Sequence, residues 1–277
     1  MNAYNNCAIK MGNYLLSFPK TPFLQNMSKT KKKASIIILT YNALEYVKKC
    51  FKSLEKTDYP NYEIIVVDNN SKPPVKKYLK YLKKKGQINK LYLSPKNTYW
   101  AGGNNIGVSL SAEDSDYVLL LNSDVEIKNK DWLNVLVGLA PKNGAISFGV
   151  CLGRRVCDGW CLLICKKTFD KAGRLNEDYP FWGSDCELLY NILKKGFSIL
   201  AISNPESYII HYRKKSIDYE DPDFKKHTNL FFSINKNKFD FANMNSQVIW
   251  IVGKNVFTNY RFGLWLEKKI QQLKFLK

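Results

Sequence analysis

From Ala34 onward, short β-branched apolar runs alternate with stretches of helical periodicity, and no other feature of the chain limits its fold as strongly. Residues 35–39 (SIIIL), 63–67 (EIIVV) and 117–121 (YVLLL) have the near-continuous apolar character of strands buried on both faces, and residues 90–93 form a shorter run. Helical patterns fill the gaps at about 44–54, at a lysine-rich 74–85, and at 101–110 behind a pair of glycines. Strands alternating with helices predict an α/β fold, a mainly parallel sheet flanked by helices. Polar clusters follow three of the strands: Thr40-Tyr41-Asn42, Asp68-Asn69-Asn70-Ser71 and Asn122-Ser123-Asp124. Ligands of open α/β sheets bind beyond the carboxyl ends of the strands, so these clusters are the first candidates for a site.

The second half is less regular. Residues 159–165 read as a strand, 188–195 as a helix stopped by Gly196, 198–202 as another strand, and 223–238 as helical. Residues 1–33, with Pro19, Pro22 and a run of lysines, read as a flexible extension before a catalytic domain at 34–240. Residues 241–277 read as a basic, amphipathic, helical tail. Seven cysteines without paired spacing argue against a secreted disulfide scaffold, and Cys157, Cys161 and Cys165 read as small apolar side chains rather than metal ligands. No apolar run reaches the ~18 residues of a membrane span, and no signal peptide is evident, so a cytoplasmic location is expected. The net charge of +19 favours an anionic partner without choosing among nucleic acid, a membrane surface and a phosphorylated substrate.

Asn122-Ser123-Asp124 offers an amide and a carboxylate two residues apart, on one side of the chain if the extended conformation persists. A carboxylate there suits a divalent cation gripping an anionic diphosphate, although the composition is also that of an ordinary turn. Asp68 suits hydrogen bonding to a ribose or base, or capping of the next turn. Gly102-Gly103-Asn104-Asn105, with Gly107, suits close approach of backbone to a ligand, or a bare helix start. The pattern is neither GxGxxG nor a P-loop, which disfavours dinucleotide and ATP sites.

The order of these pieces resembles the family 2 glycosyltransferases, with their GT-A fold. The residues that carry the resemblance are Thr40-Tyr41-Asn42, Val66-Val67-Asp68-Asn69-Asn70-Ser71, Asn97-Thr98-Tyr99-Trp100-Ala101-Gly102-Gly103-Asn104-Asn105-Ile106-Gly107, Leu120-Leu121-Asn122-Ser123-Asp124-Val125 and Phe181-Trp182-Gly183-Ser184-Asp185-Cys186-Glu187-Leu188. The glycine-rich loop looks most like the rhamnosyltransferase-like branch. The resemblance implies an inverting hexosyl- or deoxyhexosyltransferase that uses a nucleotide-sugar donor and Mn²⁺ or Mg²⁺, with a glycan or lipid-linked acceptor. It implies that Thr40, Tyr41 and Asn42 contact the nucleotide and that Asp68 binds the base. Asn97, Gly102, Gly103 and Asn104 would line the donor pocket beside Asn122. Asp124 would ligate the cation with His211, and Asp185 would be the general base. Two departures matter: Asn122 stands where the DXD pattern often has an acid, and Ser184 replaces the usual Glu before Asp185, which leaves Glu187 as an alternative base.

A nucleic-acid-binding protein is the first rival, but its basic residues should interleave with aromatics on a reading surface. A nucleotidyltransferase is the second, and it would want a basic glycine-rich loop after the first strand. The tail's Trp250, Phe257, Phe262 and Trp265, with the lysines at 76–90, fit the inner face of an anionic membrane. They fit equally a tail packed on the catalytic domain or on a second subunit of a homodimer.

Overall fold

The computed structural model describes residues 10–11, 14–15, 32–151, 156–181, 183–203, 205–213, 223–227, 229, 248–252 and 255–257. A small hairpin, β1 (Lys10–Met11) with β2 (Tyr14–Leu15), precedes the main body. The expected alternation then runs β3 (Ala34–Thr40), α1 (Leu44–Leu54), β4 (Tyr62–Asp68), α2 (Pro73–Lys84), β5 (Lys90–Leu93), α3 (Tyr99–Ser109) and β6 (Tyr117–Asn122). The second half follows with β7 (Val125–Ile127), α4 (Trp132–Leu139), β8 (Ala145–Ser147), β9 (Val150–Cys151), β10 (Val156–Cys157), β11 (Cys161–Cys165) and α5 (Lys166–Lys171). The described elements end with α6 (Ser184–Lys194), β12 (Ile199–Ser203), β13 (Ile209–His211), β14 (Val248–Val252) and β15 (Asn255–Phe257).

A nine-stranded sheet in the order β15-β14-β12-β8-β11-β6-β3-β4-β5 forms the centre. Strands β5, β4, β3 and β6 pair in parallel, β11 runs against both β6 and β8, and β12 and β14 resume the parallel direction. Successive side chains point to opposite faces, so Ile36 and Ile38 enter one core while Ile37 enters another. The first core takes Val47 and Leu54 of α1, Val75 and Leu79 of α2, and Trp132 and Leu136 of α4. The second takes Val108 of α3, Phe169 of α5, and Leu188 and Ile192 of α6. Both faces of β3 are therefore covered, which is why its sequence carries no alternating polar face.

Two sequence expectations change. Helix α6 begins at Ser184, one turn before the expected start, because the positive φ of 93° at Gly183 turns the chain into it. Within the tail read as a helical extension, Val248–Val252 is a strand paired in register with β12, as its β-branched and aromatic run VIWIV favours. The short helical stretch at 223–227 agrees with the expected start of a helix there; apart from β14 and β15, the 241–277 tail lies outside the described residues, as does most of the 1–33 extension. Cys157 and Cys161 are fully buried in opposite cores, and burial pushes both thiols up, as befits small apolar packing groups.

Candidate functional site

Register brings the first two polar clusters together, since Thr40 at the end of β3 lies directly beside Asp68 at the end of β4. The Thr40 hydroxyl donates to Asp68 Oδ1 (3.1 Å) and the Ser71 N–H donates to Asp68 Oδ2 (3.0 Å). Around them the Asn42 N–H donates to Ser71 Oγ (2.8 Å) and the Lys72 N–H to Asn42 Oδ1 (3.0 Å). Asn69 Oδ1 takes both the N–H and the hydroxyl of Thr98, while Asn97 Oδ1 takes the N–H of Tyr99. Asn42, Ala43, Asn70 and Tyr99 all have positive φ, between 49° and 63°. Each such turn costs roughly 1–2 kcal/mol for a residue with a Cβ, so this hydrogen-bonded lattice must hold them. Asp68 is 0 % exposed. Tyr41, Asn42 and Asn97, by contrast, are only half-buried.

The glycine-rich segment differs in detail from the sequence reading. A Cβ on Gly103 would lie 2.2 Å from Leu39 Cδ1, and one on Gly107 would lie 2.1 Å from Ile37 Cγ2. The close approach that Gly103 and Gly107 allow is thus of α3 to β3, not of backbone to a ligand. Asn104 and Asn105 are buried too: Asn104 Nδ2 donates to the Trp100 carbonyl (2.8 Å) and Asn105 Nδ2 to the Leu175 carbonyl (2.9 Å). Gly102 faces Thr98 and Glu177.

The third cluster opens the part of the site that carries charge. Beyond β6 the chain turns into β7, which pairs antiparallel with β13 and sets Val125 opposite His211. The Tyr212 N–H continues this ladder to the Asp124 carbonyl (2.9 Å). That small sheet brings His211 Nε2 to 3.2 Å from Asp124 Oδ1 and 3.5 Å from Asn122 Nδ2. Asp124 is 1 % exposed. Among the described residues, no group of three or more His, Cys, Asp or Glu side chains gathers in metal-binding geometry; Asp124 and His211 are the pair that could offer a cation an oxygen and a nitrogen.

Trp100, at the start of α3, joins this pair to α6. Its indole N–H donates to Asn122 Oδ1 (3.2 Å). On the other side, the space beside Gly159 is bounded by the Asp185 carboxylate and by Trp100 Cη2. Glu187 turns elsewhere and accepts a hydrogen bond from Asn176 Nδ2 (2.8 Å). Residues two apart on a helix point about 200° apart, so Asp185 and Glu187 cannot serve the same space. Sequence reasoning missed Asp158 and Trp160. Trp160 stacks on His211, with centroids 4.7 Å apart and planes inclined by 18°. The Asp158 carboxyl is raised above its usual range, first by burial and then by the nearby Asp185, while His211 and Arg213 pull the other way. Their signal, a turn before a strand with a lone acid, is too common to be read without the fold.

A mainly parallel sheet interrupted by the antiparallel β11 and ending in the antiparallel β15, with an acid at the end of β6 and a second small sheet beside it, is a GT-A fold. Residues 35–166 match the model of Glycosyl transferase family 2. The Campylobacter jejuni protein described as GalNAc(5)-diNAcBac-PP-undecaprenol beta-1,3-glucosyltransferase is 28 % identical over 171 residues, which cover 62 % of this chain and 49 % of that protein. The chain spans less than half the length of the curated relatives it matches, at 28 %, 49 % and 26 % of three of them. Among solved structures, the mannosyltransferase PcManGT from Pyrobaculum calidifontis in complex with GDP-Man and Mn²⁺ superposes with a TM-score of 0.54 at 18 % identity, over 65 % of this chain and 57 % of that one. S. aureus TarS in complex with UDP-GlcNAc gives 0.54 at 17 % identity, over 77 % of this chain and 70 % of that one. At such identities the likeness is one of fold.

Proposed function

We propose that the chain is an inverting glycosyltransferase that moves a sugar from a nucleoside-diphosphate sugar to an acceptor hydroxyl with a divalent cation. The observation that carries this reading is that Trp100 links the Asp124–His211 pair, through Asn122, to the space beside Gly159 that Asp185 bounds. The donor set fits a cation: a carboxylate oxygen and an imidazole nitrogen 3.2 Å apart are near the ~3 Å spacing of adjacent ligands around one octahedral ion. Bound there, Mn²⁺ or Mg²⁺ would offset the charge that develops on the leaving diphosphate. The imidazole nitrogen favours Mn²⁺ of the two.

Asp185 takes the proton of the acceptor hydroxyl while that oxygen forms its bond to the anomeric carbon. The anomeric carbon–phosphate oxygen bond breaks on the opposite face, and its electron pair leaves with the diphosphate. That Glu187 is tied to Asn176 on another face of α6 supports Asp185 for this role. Tyr41, Asn42 and Asn97 meet the nucleotide on the lattice that Asp68 holds. A rhamnosyl-type deoxyhexose, or a hexose such as those named for the similar proteins, is the sugar this reading allows. The test is calorimetry with UDP, GDP and dTDP, each with Mn²⁺, Mg²⁺ or chelator, followed by transfer from the matching donors. Absence of cation-dependent binding by all three nucleotides would refute the reading.

The acceptor reading is a lipid-linked glycan at an anionic membrane. Between positions 69 and 112 the chain carries nine lysines and no acidic residue. Most of those on α2 are exposed, along with Tyr81 (54 %) and, on the edge strand β5, Tyr92 (38 %). This supports membrane contact through α2 and β5 more than through the tail, where Val248–Val252 pairs within the sheet. No helix among the described residues is long and apolar enough to cross a membrane. Flotation with anionic and neutral vesicles tests it: replacing the exposed lysines of α2 should abolish binding to the anionic vesicles.

A further inference from the structure

The turn at 158–160, just before β11, touches both halves of the site through adjacent residues. A Cβ on Gly159 would lie 2.8 Å from Asp185 Oδ2, 3.0 Å from Asp185 Cβ and 3.1 Å from Trp100 Cη2. The present position of the Asp185 side chain therefore exists only because residue 159 has none. The next residue works on the opposite side. The Trp160 ring lies against the His211 ring at 4.7 Å, and the Trp160 carbonyl accepts the Asn122 N–H at 2.8 Å. The turn is itself anchored: the Asp158 N–H donates to the Gly149 carbonyl (3.1 Å) and Ser147 Oγ donates to the Asp158 carbonyl (2.7 Å). β11 is paired on both sides, so the turn cannot slide along the sheet.

We infer that this turn is a positioning element in which Gly159 sets the place of the Asp185 carboxylate and Trp160 sets the His211 imidazole. The inference rests on the reading of Asp185 as base and His211 as cation ligand, but its geometric part stands without it. Two neighbouring residues then control two different properties. Gly159 governs transfer through Asp185, since a misplacement of about 1 Å at a reacting group costs on the order of 100-fold. Trp160 governs cation-dependent nucleotide affinity through His211, where losing a supporting contact to a ligand typically costs about 10–100-fold.

The experiment uses the full chain and the variants Gly159→Ala, Trp160→Ala and Trp160→Phe. Crystal structures without ligand come first. The expected result is an Asp185 carboxylate displaced by roughly 0.5 Å or more in Gly159→Ala, enough to restore ordinary contact distance, with His211 unmoved. In Trp160→Ala the His211 ring should turn while Asp185 stays. An unmoved Asp185 or His211 overturns the inference whatever the protein's activity. Calorimetry with Mn²⁺ and UDP, GDP or dTDP should then give parent affinity for Gly159→Ala and a loss for Trp160→Ala that chelation of the cation erases and Trp160→Phe largely reverses. Transfer by Gly159→Ala should fall about 100-fold, with no further fall when the same change is made in Asp185→Ala. Equal losses of affinity and transfer in both variants, or full additivity with Asp185→Ala, would overturn the assignment. If Gly159→Ala does not fold, the Trp160 pair alone decides, by the His211 ring position and its rescue by Phe. Loss of binding by the parent itself would sink the functional reading and leave the crystallographic arm to judge the turn.

Discussion

Two polar clusters at the strand ends look alike in sequence and differ in kind once folded. At β3 and β4, Thr40, Asn42, Asp68, Asn69 and Ser71 bond chiefly to one another and to the loop before α3. Beyond β6, Asp124, Asp158, Asp185 and His211 come from distant parts of the chain and are held by a small sheet, a helix start and two tryptophans. The first cluster binds its own carboxylate so completely that it acts as a frame. The second gathers acids so close that Asp185, after burial itself, helps to raise the Asp158 carboxyl. Changes in the first should therefore cost stability, and changes in the second should cost activity.

The largest effect is expected at Asp185. Asp185→Asn should lower transfer by about 10²–10⁴-fold while cation-dependent nucleotide affinity stays at the parent value, as for loss of a general base. Normal turnover by that variant, with loss in Glu187→Gln, would move the base to Glu187. Asp124→Ala comes next: affinity for the nucleoside diphosphate with Mn²⁺ should fall about 100-fold or more, approaching the value measured with chelator. An unchanged melting temperature in the same variant would sharpen the contrast with the frame.

Thr40→Val probes the frame itself. It deletes one of the donors to a fully buried carboxylate and should cost roughly 1.5–3 kcal/mol of stability, read from chemical denaturation. A loss of nucleotide affinity without any loss of stability would break the distinction between the two clusters. The smallest effect is expected at Asp158. Its carboxyl is raised in the folded state, so folding is favoured while it is protonated and that contribution is lost as pH rises through the folded value. Asp158→Asn should therefore give a small rise in melting temperature at pH 7 and none at acidic pH. A fall at pH 7 would mean that His211 and Arg213 outweigh the burial and the Asp185 charge.

The alternation in the first half was legible because β3, β4 and β6 are buried on both faces and α1 and α2 each present an apolar face. Helix α1, with Val47, Cys50, Phe51 and Leu54 on one side, falls at the residues the periodicity indicated. Strand ends were legible for the same reason, and with them Thr40, Asp68 and Asp124. What those residues do was not: the glycines at 103 and 107 read equally well as ligand-facing, and only their 2.2 Å and 2.1 Å clearances to Leu39 and Ile37 assign them to packing. The tail read as helical on its mixed polarity, yet VIWIV finds an open strand edge at β12, a partner that no local pattern announces.

Local periodicity and turn chemistry thus determined the parallel half of the sheet, its helices and the acids at its edge, because those properties depend on residues a few positions apart. Tertiary structure alone decided that His211 meets Asp124 through β7 and β13, that Asp185 rather than Glu187 faces the space beside Gly159, and that Trp160 supports the imidazole. Each of these is a contact between segments remote in the chain. Their distances are set by strand register and helix phase together: a one-residue slip would turn a strand side chain to the opposite face and a helix side chain by about 100°.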